Sequence, residues 1–125
     1  MKNNLRLCGV LLGLATLNAS ATQYVFVAED ASIETKLCVN AGSDNRPALR
    51  HDLGIYHRNI RYTANTVSCN GKSMAQFAHQ YGAQSTYALL ERFTYSKNKV
   101  RPTVTITDMA KVSGGDIVYI SVSSK

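Results

Sequence analysis

The chain has no tryptophan, only two prolines and only three cysteines. It also has no Cys-x-x-Cys, no Gly-x-Ser-x-Gly and no glycine-rich phosphate loop. The first of these absences removes the thioredoxin-type redox motif, and the second the nucleophile elbow of α/β-hydrolases. The third removes the P-loop and dinucleotide fingerprints. No tight H-x-x-x-H pair is present to fix two histidines on one helical face for zinc. After Leu17 no stretch is long and apolar enough to cross a membrane, which takes about 20 residues. There is no internal repeat, no low-complexity tract and no composition break to mark a domain boundary.

What is present begins at the N-terminus. Lys2 and Arg6 precede the apolar run Leu7–Leu17, and Ala19-Ser20-Ala21 supplies small residues at the positions a signal peptidase recognises. Cleavage is expected after Ala21, leaving residues 22–125 as one mature domain in the periplasm or outside the cell. Cys8 leaves with the leader and lies too early, after Arg6-Leu7, for a lipoprotein signal. Loss of Lys2 and Arg6 lowers the formal net charge from +6 to +4, a mild excess below that of a dedicated nucleic-acid binder. Nucleic acid is therefore not the expected partner.

Two cysteines remain, Cys38 and Cys69. In a small exported domain an even pair forms a disulfide, and small cores gain most from one. The alternative is a nucleophilic Cys69 served by His79. A catalytic cysteine needs a partly exposed thiolate beside a base. Cys38 instead flanks the apolar helical stripe Ile33, Leu37, Ala41, and Cys69 shares an apolar strand parity with Val67.

The hydrophobic pattern predicts an α+β domain: a small antiparallel sheet with two or three helices on one face and one disulfide. Tyr24–Ala28 has strand composition. Asp30 is the expected cap of a helix ending at Gly42. Ser43–Gly54, broken by Pro47, predicts at most one helical turn around Ala48–His51. Ile55–Cys69 alternates as an extended segment, slipping register near Asn65-Thr66. Asn70-Gly71 signals a turn, though the pattern does not demand a hairpin. Ser73 is the expected cap of a helix carrying Met74, Phe77, Ala78 and Tyr81, ended by Gly82. Ser85 restarts a helix with Leu89, Leu90 and Phe93. Thr103–Thr107 and Ile117–Val122 predict two strands paired around Ser113–Asp116, the second of them central.

No catalytic, metal or cofactor site is expected. His51, Asp52 and His57 are weighed as a zinc set and read as polar loop residues; Glu29, Asp30 and Glu34 fit a helix N-terminus. The most suggestive surface is basic and aromatic: Arg46, Arg50, Tyr56, Arg58, Arg61 and Tyr62, a candidate face for an anion or a partner. Lys97, Lys99 and Arg101 form a second basic group.

Three segments carry a resemblance: Thr35–Ala41, Val67–Gly71 and Phe77–Ala83. With the leader, they resemble a family of small exported gammaproteobacterial proteins catalogued as a domain of unknown function. The resemblance spans roughly Tyr24 to Ala110. It implies export and supports the Cys38–Cys69 pairing, and it lends no catalytic residues. The expected function is a non-enzymatic binding module for an envelope protein or other envelope component. The alternative is an electrostatic binder of an anionic polymer or lipid head group, and, less favoured, a small hydrolase or thiol enzyme.

Overall fold

Backbone chemistry near Ser32 sets the first turn of the domain. In a computed structural model that describes residues 22–56, 59–101 and 116–124, strand β1 (Gln23–Ala28) leads into helix α1 (Ile33–Gly42). The cap of α1 is Ser32, not Asp30: the Ser32 hydroxyl accepts from the Thr35 N–H at 3.2 Å, while the Asp30 carboxylate accepts from the Ser32 N–H at 2.8 Å. Asp30 thus supports the cap from two residues upstream. Gly42 is the last helical residue, and Ser43 is the C-cap.

The segment from Ser43 to Val67 departs from expectation. It folds as helices α2 (Arg46–Tyr56) and α3 (Ile60–Thr66), not as a loop followed by an extended run. Asn45 starts α2 by accepting from the Ala48 N–H, which leaves Pro47 in the first turn, where its missing N–H costs nothing. Asn59 caps α3 by accepting from the Tyr62 N–H at 3.0 Å. Thr63 and Ala64 are buried, whereas Tyr62 is 65% exposed, a helical rather than a two-residue period.

Strands β2 (Ser68–Cys69) and β3 (Lys72–Ser73) form a minimal antiparallel hairpin. Its turn is Asn70-Gly71, with φ of 46° and 79°, the left-handed pair that matches strand twist. Ser73 then caps α4 (Met74–Gln80) in a capping box with Gln76. Gly82, at φ 70°, turns the chain into α5 (Gln84–Glu91). Ala83, at the cap position of α5, has no polar side chain, and Asp44 supplies the acceptor from afar, taking the Thr86 N–H at 2.9 Å.

The α+β class stands, with five α-helices among the described residues rather than two or three. Strand β4 (Ile117–Val122) lies parallel to β1, in register from Gln23↔Ile117 to Ala28↔Val122. Beyond it, Ser124 bridges antiparallel to Cys69, and the Asn70 amide donates to the Ser121 carbonyl and accepts from the Ser123 N–H. The β4 side chains alternate: Val122 is buried, while Ile117 and Tyr119 are 53% and 70% exposed. The strand expected at Thr103–Thr107, and its pairing, lie outside the described residues.

The core lies where α1, α2, α4 and α5 meet the inner face of this strand pair. Phe77, Leu37, Leu49, Leu53, Met74, Leu90 and Val122 are fully buried there. Phe26, Phe77 and Tyr81 stack edge to face with centroids 5.0 to 5.8 Å apart, fastening β1 to α4. The Cys38–Cys69 disulfide joins α1 to β2, with Cα atoms 5.5 Å apart and both residues inaccessible.

Candidate functional site

The expected basic residues divide once the helices are in place. Arg46 and Arg50 are four apart on α2, so they share a face, and Leu53 falls on the same face one turn on. These three line a cleft of about 200 Å³. The opposite wall comes from Leu89 of α5 with Arg92 and Phe93 just beyond it, and Ile60 of α3 closes the end. Leu53 and Leu89 are buried; Ile60 and Phe93 are half-buried and packed against the core. The cleft is therefore lined by buried or half-buried apolar side chains together with three arginines, of which Arg50 and Arg92 are exposed.

Arg92 was not among the residues expected here. Its signal was present in the sequence: Leu89, Arg92 and Phe93 stand at i, i+3 and i+4, one helical face. What linear reading lacks is the α2–α5 packing that sets this face against Arg46 and Arg50. Arg61 and Tyr62 lie exposed on α3 and do not line the cleft. Tyr56 ends α2, and Arg58 lies outside the described residues. Lys97 and Lys99 are exposed around a short 3₁₀ turn, Ser96–Asn98, and do not line the cleft.

No carboxylate among the described residues pairs with Arg46, Arg50 or Arg92, and the nearby acids are committed elsewhere. Asp52 is 3% exposed and faces α1, where it takes the Lys36 ammonium at 3.2 Å and the Asn40 amide at 3.0 Å, with His51 Nδ1 at 3.3 Å. Glu91 neighbours Arg92 in sequence but reaches back one turn to Tyr87; burial first, and then Glu91, push the Tyr87 hydroxyl above its ordinary pKa. Asp44 holds the start of α5. Arg46 also sits at the positive end of the α2 dipole, which adds to the positive potential of the cleft.

The other chemical candidates resolve into structure. Cys38 and Cys69 are joined in the disulfide, so Cys69 carries no thiolate, and the His79 ring rests edge-on against Tyr87 at 5.1 Å. His57 lies outside the described residues, and no group of three or more metal-ligating side chains forms among those described. Glu34 and Asp30 remain at the α1 N-terminus, and Glu29 accepts from the Ser121 hydroxyl at 2.7 Å.

The fold and the cleft together define a small disulfide-braced α+β domain with a cleft lined by arginines and apolar side chains. The profile of the family described as protein of unknown function DUF3718 matches residues 37–111, and the chain belongs to that family. The matched region holds both cysteines of the disulfide and every residue lining the cleft. No curated protein and no solved structure is matched.

Proposed function

We propose that the chain is an exported binding module without catalytic activity, which holds a protein or other component of the cell envelope through the arginine cleft. Its leader is cleaved after Ala21, and the mature domain works in the periplasm or outside the cell. One observation supports this reading above the rest: three arginines line one apolar cleft, and among the described residues no acid pairs with them. Like charges held together without counter-charge repel one another, and a ligand carrying negative charge relieves that repulsion. The buried disulfide fits an oxidising compartment.

The cleft arginines, without a carboxylate partner among the described residues, also favour the second reading, an anionic polymer or lipid head group as the bound species. Salt separates strong multivalent polymer binding from a single anchored anion, because affinity for a polyanion falls steeply with ionic strength.

The test is an in-cell cross-linking pull-down of the tagged protein, wild type against an Arg46→Glu/Arg50→Glu/Arg92→Glu variant. The expected result is a mature N-terminus at Thr22 and one dominant partner that the variant no longer captures. Capture indifferent to charge reversal would overturn the role of the cleft. Turnover by the purified protein that a single polar substitution abolishes would overturn the non-enzymatic reading.

A further inference from the structure

We propose that the group held in the cleft is a phosphate monoester carried on a compact apolar body. This names the ligand class of the site above and rests on that cleft being the binding surface. The charge comes first. A carboxylate brings a single negative charge to three guanidinium groups. A phosphate monoester brings between 1.5 and 2 at neutral pH and three acceptor oxygens. Each guanidinium presents a planar fork that meets phosphate oxygens two at a time, so the three arginines lining the cleft, Arg46, Arg50 and Arg92, supply donors for every oxygen of one such head.

The apolar lining supplies the second half. Leu53, Ile60, Leu89 and Phe93 offer no hydrogen bonds to water, so water over them is displaced at a gain by an apolar group. A bare inorganic anion leaves that gain unused. The size supplies the third. About 200 Å³ is the share of roughly seven water molecules at ~30 Å³ each, below the ~300–1,000 Å³ of drug-sized pockets. It accommodates a phosphate and a short alkyl or aryl stub, and it is too small to enclose a whole acyl chain or a folded polymer segment. Asp52, Asp44 and Glu91, the acids nearest in sequence to the cleft walls, face Lys36, Thr86 and Tyr87 and do not compete for the guanidinium groups.

The monoester can be a free metabolite or the exposed head of a lipid. Both are tested by calorimetric titration of the disulfide-intact mature domain with hexyl phosphate, inorganic phosphate and vesicles of phosphatidylcholine with or without phosphatidic acid. Hexyl phosphate is expected to bind about tenfold or more tightly than inorganic phosphate. Single Arg50→Gln and Arg92→Gln variants are expected to lose about tenfold each, as charge-assisted hydrogen bonds do when removed. Lys97→Gln, outside the cleft lining, is expected to retain wild-type affinity, and circular dichroism verifies that each variant is folded. Binding to phosphatidic acid vesicles as well as hexyl phosphate assigns the lipid source; binding to hexyl phosphate alone assigns the soluble one. Equal affinity for hexyl and inorganic phosphate, or binding that both arginine variants preserve, overturns the proposal. No binding of any probe, alongside cellular capture that still requires the arginines, overturns the ligand class and leaves the binding module standing.

Discussion

Gly42 shows how closely single residues are fitted. A Cβ built there would lie 2.6 Å from one Phe26 ring carbon and 2.7 Å from one of Phe77, and the residue is buried. The glycine is required by ring packing, not by a left-handed turn. Gly42→Ala is expected to cost about 1–3 kcal/mol through overpacking, measured by urea unfolding. Asp30 offers a second check. The Ser32 side chain, then the Ser32 N–H, hold its carboxyl below its ordinary pKa of 3.8. A folded-state pKa below the unfolded one contributes stability that is complete above the unfolded value and is lost as pH falls through the folded value. Asp30→Asn is therefore expected to flatten part of the loss of stability below about pH 4, read from melts across that range.

At the scale of elements, legibility followed how openly each helix shows its caps and stripe. The α4 helix was plain: Ser73 and Gln76 form the capping box, and Met74, Phe77 and Ala78 are all buried. The α3 helix was hidden because its buried face includes Thr63, so Ile60, Thr63, Ala64 and Val67 did not stand out at helical spacing. The alternation of Ile60, Tyr62 and Ala64 took its place. Thr63 can afford that position because its hydroxyl donates to the Asn59 carbonyl at 3.2 Å. The α2 helix was masked by Pro47 and Gly54, although Leu49 and Leu53 are four apart and fully packed. The disulfide was legible from the expected export and the cysteine count, and it links two cysteines 31 residues apart. Replacing both Cys38 and Cys69 by alanine is expected to lower stability by about 3–4 kcal/mol, through restored freedom of the unfolded chain. Equilibrium unfolding of the double variant against the oxidised wild type measures it.

At the scale of the molecule, strands β1 and β4, far apart in sequence, meet in one parallel pair, and hydroxyls seal the junction. Thr35, fully buried, lies 2.9 Å from the Ser124 hydroxyl and accepts the Ser124 N–H at 3.1 Å. No local pattern could announce that pairing, because parallel partners lie far apart in sequence. The cleft was half legible for the same reason. Arg46 and Arg50 were found by composition, and Arg92 only by the packing of α5 against α2. A cleft assembled from three helices responds as one unit: affinity for a small phosphate monoester is expected to fall only modestly with salt, since one head releases few counterions. A titration at two ionic strengths checks this, and a steep decline would point to a polyanion instead.

The most direct measurement is a nuclear magnetic resonance titration of residues 22–125 with hexyl phosphate, following the backbone amide signals and the arginine side-chain Nε–Hε signals. Saturable shifts at Arg46, Arg50 and Arg92, with Arg61 and the exposed lysines silent, are the expected result. Shifts spread evenly over the basic surface, or centred on Arg61 or Lys97, would show that the cleft is not where this protein binds anions.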